Sequence, residues 1–202
     1  GNGCIIKNEA GNVLENNGTL IVNEGNFIKT DGWETKVIKN YGIATINGGI
    51  FSKTCDGLTV ENLGELYFND GNIYLNGDDD ATGTALYNTS GTIEMTGGKV
   101  SSKGFGLCVD GGSFKSTEGS ISVNNGNTAV LVRNTGSAYL YNTYVTAISS
   151  TGGKLINQTG KYSNLMYIYT EDNDEYLSTV EGSNDGKVFM TEFMNNGTIN
   201  IT

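Results

Sequence analysis

The stretch NNGTLIVNEGNFIKTDG, residues 16–32, sets a phrase that the rest of the chain repeats. It holds two turn signals, Asn16-Asn17-Gly18 and Asn23-Glu24-Gly25, each followed by a short run in which apolar residues alternate with polar ones. Alternation with period two marks a strand that turns one face inward. Asparagine beside glycine is turn chemistry, because both tolerate backbone angles that other residues resist. Taken alone, the stretch is compatible with a local hairpin. Its recurrence is not.

Aligned on an asparagine or aspartate followed shortly by glycine, the anchors are Asn16, Asn40, Asn62, Asn88, Asp110, Asn134 and Asn157, separated by 22–26 residues. That period is shorter than helical repeats and lacks a leucine-rich consensus, and it suits one coil of a β-solenoid. Two residues before the anchors stand Leu14, Ile38, Val60, Leu86, Cys108, Val132 and Leu155, all apolar. A first glycine column (Gly18, Gly42, Gly64, Gly91, Gly112, Gly136, Gly160) is expected to pass through positive φ, and a second runs Gly25, Gly49, Gly71, Gly98, Gly119. Between the corners, pairs such as Leu20/Val22, Leu66/Phe68 and Ile93/Met95 alternate inward, and Phe27, Phe51, Ile73, Val100, Ile121 and Val145 form a further inward column. The fold class expected is all-β, a single-stranded parallel β-helix.

The anchor column lies two residues after an apolar column and so shares its inward face. Buried amides must bond to each other or to turn backbone, which a ladder of identical amides along a tube allows. The whole anchor set is read as such a ladder, with Asp110 as an interruption.

Composition bounds the rest. The 202 residues include 30 glycines and no proline or histidine, and the net charge is −10. No lysine or arginine cluster is present to neutralise phosphates, which argues against a nucleic-acid partner. The apolar runs are too short for a membrane span. Cys4, Cys55 and Cys108 have neither the number nor the spacing of a disulfide framework or zinc site. Gly1-Asn2-Gly3 opens the chain without a visible leader.

The recurrent N-x-G-x-Φ-x-Φ-x-x-G-x-Φ phrase over residues 12–161 resembles the single-stranded right-handed parallel β-helix, the pectate-lyase-like superfold. More narrowly it is similar to β-helix segments of large bacterial surface proteins. That superfold carries lyases, hydrolases, tailspikes and adhesins alike, so the resemblance implies architecture rather than activity. Polygalacturonase-like members use a histidine, which this chain lacks. Lyase-like members use calcium-binding acids with a basic residue. The sole arginine, Arg133, is read as an ordinary surface residue in the column of Glu15, Lys39, Glu61 and Tyr87.

The repeat is expected to fill residues 1–161, with residues 162–194 an irregular insertion or imperfect cap. "NNGTINIT" at 195–202 restarts the phrase, which carries the expectation of a segment cut from a longer protein with flanking coils. Asp78, Asp79 and Asp80 are candidate Ca²⁺ ligands through hard oxygens, and no other cofactor is expected. Cys108 is read as a buried thiol. No nucleophile pairs with a base, so no catalytic residue is assigned. Tyr67, Tyr74, Tyr87, Tyr139, Tyr141 and Tyr144 sit at outward positions, where aromatic rings can stack on sugars. The expected function is therefore a non-enzymatic segment of a secreted or wall-associated bacterial surface protein, a stalk or adhesin meeting glycans or a host surface. The alternatives are a polysaccharide lyase or hydrolase-like β-helix, or a phage tailspike fragment.

Overall fold

In a computed structural model the chain is described at residues 4–77, 82–123, 128–140, 143–145, 148–151, 154–157, 166–168, 179–182 and 198–201, with side chains placed through 140 and at Thr143 and Val145. Every element is a strand. After β1 (Ile5–Lys7) the first turn is β2 (Leu14–Asn16), β3 (Thr19–Val22) and β4 (Asn26–Lys29). The pattern repeats in β5 (Ile38–Asn40), β6 (Ile43–Ile46), β7 (Ile50–Lys53), then β8 (Leu58–Asn62), β9 (Glu65–Phe68), β10 (Asn72–Leu75). It continues in β11 (Thr84–Asn88), β12 (Thr92–Met95), β13 (Lys99–Ser102), then β14 (Phe105–Val109), β15 (Ser113–Ser116), β16 (Ser120–Val123). A sixth turn is β17 (Val130–Arg133), β18 (Ser137–Leu140) and β19 (Tyr144–Val145), followed by β20 (Ile148–Thr151) and β21 (Lys154–Asn157).

Three parallel sheets result, one per side of the tube: β2-β5-β8-β11-β14-β17-β20-β22, then β3-β6-β9-β12-β15-β18-β21-β23-β24, then β1-β4-β7-β10-β13-β16-β19. We call these the first, second and third sheets. β22 (Met166–Ile168), β23 (Thr179–Gly182) and β24 (Thr198–Ile201) extend the first and second sheets, so residues 162–194 contribute strands to the stack. The molecule is a parallel β-solenoid of about six turns, and the N-x-G stretch is one coil rather than a hairpin. At roughly 4.8 Å between stacked strands, like side chains meet like along the axis. Phe27 and Phe51, for example, stack at 4.9 Å between centroids and 5° between planes. Ile46, Leu66, Phe68, Ile73, Leu86, Val100 and Phe114 belong to one continuous buried core.

The amide ladder is present over four turns. Asn16 Nδ2 donates to Asn40 Oδ1 at 2.7 Å, Asn40 to Asn62 at 2.8 Å, and Asn62 to Asn88 at 2.8 Å. Each Nδ2 also donates to carbonyls at the corner, as Asn40 does to Gly42 O at 3.1 Å and Glu65 O at 2.9 Å. Amide stacking and corner closure are thus one network, and each bond is worth about 1 kcal/mol net.

Asp110, Asn134 and Asn157 are not in this ladder. Asn88 pairs in register with Val109, Val109 with Val132, and Val132 with Ser150, while Asn157 lies on the second sheet opposite Leu140. The offset arises at the corner. Two residues separate Asn62 from β9, three separate Asn88 from β12, and β17 is followed by a turn closed by Gly136 N donating to Arg133 O at 2.9 Å. Counting back from the corner glycine therefore overshoots the strand register by one residue at Asp110 and two at Asn134. Val109 and Val132 fill the tube there, and Asn88 gives its N–H groups to Gly111 O at 2.9 Å and Ser113 O at 3.2 Å. By the same shift, Leu107 and Val130 occupy the inward positions expected of Cys108 and Val132.

The two glycine columns have different physical causes. The second column is at positive φ throughout, from Gly25 at 134° to Gly119 at 97°. In the first column only Gly91 and Gly112 are, so the expectation of positive φ fails at Gly18, Gly42, Gly64 and Gly136. Stacking explains the column instead: a Cβ on Gly64 would lie 2.2 Å from Gly42 O of the preceding coil.

Candidate functional site

The tyrosines expected at outward positions are spread over three faces. Tyr67 and Tyr139 share a column of the second sheet, with Glu94 and Lys115 between them. Tyr74 lies on the third sheet opposite Ser52 and Ser101, and Tyr144 on the same sheet opposite Ser120. Tyr87 lies on the first sheet. Among the described tyrosines of this set, only Tyr67 and Tyr139 share a single column, three coils or roughly 14 Å apart. Tyr67 donates to Glu65 Oε2 at 3.1 Å, and that bond raises its pKa. Tyr141 and Asp78, Asp79 and Asp80 lie outside the described residues, and no cluster of three metal-ligating side chains exists among those described.

Arg133 is not in the column of Tyr87, because Cys108 and then Leu131 continue that column; it is nevertheless bound to Tyr87 across two coils. Arg133 Nη2 donates to Tyr87 OH at 2.7 Å and Nε donates to Asp110 Oδ1 at 2.8 Å, while Tyr87 OH donates to Asp110 Oδ2 at 2.9 Å. The guanidinium also lies over the Tyr87 ring, 5.8 Å from its centroid. Asn134 completes the group. It is the one non-glycine residue at positive φ among those described, at 51°, and its amide donates to Asp110 Oδ1. Asparagine tolerates this left-handed backbone. The two anchors thought to face inward are thus the outward partners of the arginine.

Three groups in and beside this cluster are shifted from their ordinary values. Burial, then the bond to Asp110, push the Tyr87 phenol up to about 12 against the lowering effect of Arg133. Burial opposes the Arg133 charge, yet Cys108, Tyr87 and Asp110 together hold its pKa above the ordinary value. Cys108 faces outward in register and is still only 1% exposed; burial pushes its thiol up to about 12. The phenol and thiol are protonated and the guanidinium is cationic near neutrality, and both oxygens of Asp110 accept hydrogen bonds within the cluster.

Sequence reasoning missed a second set of residues. Lys29 and Lys53 are wholly buried on the inward face of the third sheet. Lys29 Nζ donates to Asn8 O and Glu9 O at 2.8 Å each, and lies 3.4 Å from Asp31 Oδ1. Lys53 Nζ donates to Gly32 O at 2.9 Å, Trp33 O at 3.4 Å and Thr35 O. Burial lowers the Lys53 pKa; Cys55 and Asp56 oppose that, while Lys36 and Lys29 add to it. The signal was available, since Lys29 and Lys53 each stand two residues after an inward phenylalanine. A second amide ladder, on the surface, was also missed: Asn47 donates to Asn23 and Asn69 to Asn47 at 2.9 Å each.

Fold and surface together define a parallel β-solenoid with polar clusters on its faces. No family model, curated protein or solved structure matches the chain. Among the described residues no helix is long and apolar enough to cross a membrane.

Proposed function

We propose that the chain is a non-enzymatic segment of a secreted bacterial surface protein, a stalk or adhesin whose flat faces meet glycans. The observation that supports this reading is that Tyr87, Asp110, Arg133 and Asn134 bond to one another. The chain's sole arginine is tied into the tube, joining three successive coils. Its work is to fasten coil to coil, as the amide ladder does in the interior. A solenoid stiffened in this way holds its faces at fixed spacing, which suits repeated contacts to an extended polymer.

Glycan-array binding by the intact chain tests the proposal. Binding reduced by Tyr67→Ala or Tyr139→Ala places the contact on the second sheet. Release of unsaturated or reducing-end products from polysaccharides by the same preparation would refute a non-enzymatic role.

A further inference from the structure

We infer that the turn Gly32–Thr35 is a preorganised aromatic site that takes a neutral sugar ring on the face of Trp33. This rests on the glycan-binding reading above and moves the contact away from the tyrosines. Trp33 is the single tryptophan of the chain, and at 68% exposure it is the most exposed large hydrophobic side chain among the described residues. Tyr67, Tyr74, Tyr87 and Tyr139 are half-buried by comparison.

The turn beneath the indole is held from several directions. Gly32, at φ 82°, opens it, and Thr35 closes it with N–H to Gly32 O at 3.2 Å and Oγ1 to Gly32 O at 2.8 Å. Trp33 and Glu34 therefore occupy the two central positions. Four successive carbonyls each accept from an ammonium: Gly32, Trp33 and Thr35 from buried Lys53, and Glu34 from Lys36 Nζ at 2.6 Å. Gly57 of the following coil presses on the same backbone, since a Cβ there would stand 2.2 Å from Trp33 O. Burying an ammonium is costly unless its hydrogen bonds are satisfied, and here they are satisfied by this turn. The backbone is rigid while the indole is free of any hydrogen-bond partner among the described residues.

A rigid aromatic platform binds without the entropy loss of ordering a loop. Its surroundings choose the ligand. Thr30, Asp31 and Glu34 flank Trp33 in the chain and are exposed, and no exposed apolar residue adjoins it in the turn, so the rim offers hydrogen bonds rather than a hydrophobic ring. That combination matches a sugar, with C–H groups on the ring face and hydroxyls on the carboxylates. The net charge of −10 repels anionic chains, which leaves neutral hexoses and pentoses.

The test uses the full chain on immobilised neutral oligosaccharides, with uronate-containing and sialylated chains beside them, followed by titration of Trp33 emission with the neutral chains bound. Neutral chains should bind and shift the emission. Trp33→Ala should weaken binding roughly 10- to 100-fold, the scale of one lost aromatic face, with an unchanged melting curve. Trp33→Phe should retain part of the affinity. Neutral binding that survives Trp33→Ala overturns this inference and leaves the broader glycan reading intact, as does binding of anionic chains alone. No binding to any chain overturns both.

Discussion

Replacing Asn62 by leucine tests whether the buried amides hold the solenoid together. Asn62 Nδ2 donates to Asn88 Oδ1 at 2.8 Å, Gly64 O at 3.0 Å and Thr92 O at 3.1 Å, and its Oδ1 accepts from Asn40 at 2.8 Å. After Asn62→Leu, Asn40 keeps two carbonyl acceptors, but Asn88 Oδ1 loses its donor inside the tube. An orphaned buried acceptor costs about 1–3 kcal/mol, and the lost net bonds add about 1 kcal/mol. Misfit of a branched apolar side chain against amide neighbours brings the expected loss to about 3–4 kcal/mol. The comparison is Asn69→Leu. Asn69 stands in the surface ladder, donating to Asn47 Oδ1 at 2.9 Å and accepting from Thr96 at 3.0 Å. Water replaces both partners there, so about 0.5 kcal/mol is expected. A difference of about 3 kcal/mol corresponds to roughly 6–12 °C in melting temperature for a chain of this size. Thermal and urea melts followed by circular dichroism would measure it. Equal midpoints for the two variants would refute the structural weight given to the buried ladder.

Three further outcomes follow from the geometry. Asp110→Asn should lower the Tyr87 phenol from about 12 toward its ordinary value of 10.0, since the aspartate raises it, although burial will hold part of the shift; ultraviolet titration against a Tyr87→Phe blank measures this, and an unmoved phenol would refute the assigned bond. Cys108 keeps its proton in the fold up to about 12, whereas the unfolded thiol ionises near 9.0, so this contribution to stability is intact below pH 9 and is lost as pH rises toward 12. Denaturant midpoints of Cys108→Ala should therefore decline less steeply over that window than those of the parent, by at most about 1.4 kcal/mol per pH unit. Gly64→Ala should destabilise by more than about 2 kcal/mol, because its Cβ would meet backbone at 2.2 Å, while Gly18→Ala, with open space around it, should change the melt little; similar melts for the pair would remove close stacking as the reason for the column.

Much of the architecture was legible because a solenoid imposes the same demand at every turn. Leu66 and Phe68, Ile93 and Met95, and the column from Phe27 to Val145 were assigned inward from alternation alone, and each is buried. Asn16, Asn40, Asn62 and Asn88 were found because equal corner lengths, or nearly equal ones, kept the glycine and the strand in step. Asp110 and Asn134 were misplaced where the corner lengthened. The same slip puts Arg133 in the column of Tyr87, which Cys108 and Leu131 in fact continue. Lys29 and Lys53 were overlooked because a charge is expected outside, although their positions in the alternation pointed inward; what makes them tolerable is a ring of carbonyls from residues 18–21 positions earlier in the chain.

By itself the sequence determined the tube: its period, its all-β character, its inward faces and the first four rungs of its amide ladder. Those depend on periodic side-chain chemistry, which is written along the chain. Only the tertiary structure decided where the ladder ends, which acid holds Arg133, and how a turn carrying Trp33 is pinned from below. Each of these depends on the register between one coil and the next, and that register is set by corner geometry and close packing rather than by the spacing of any one residue type.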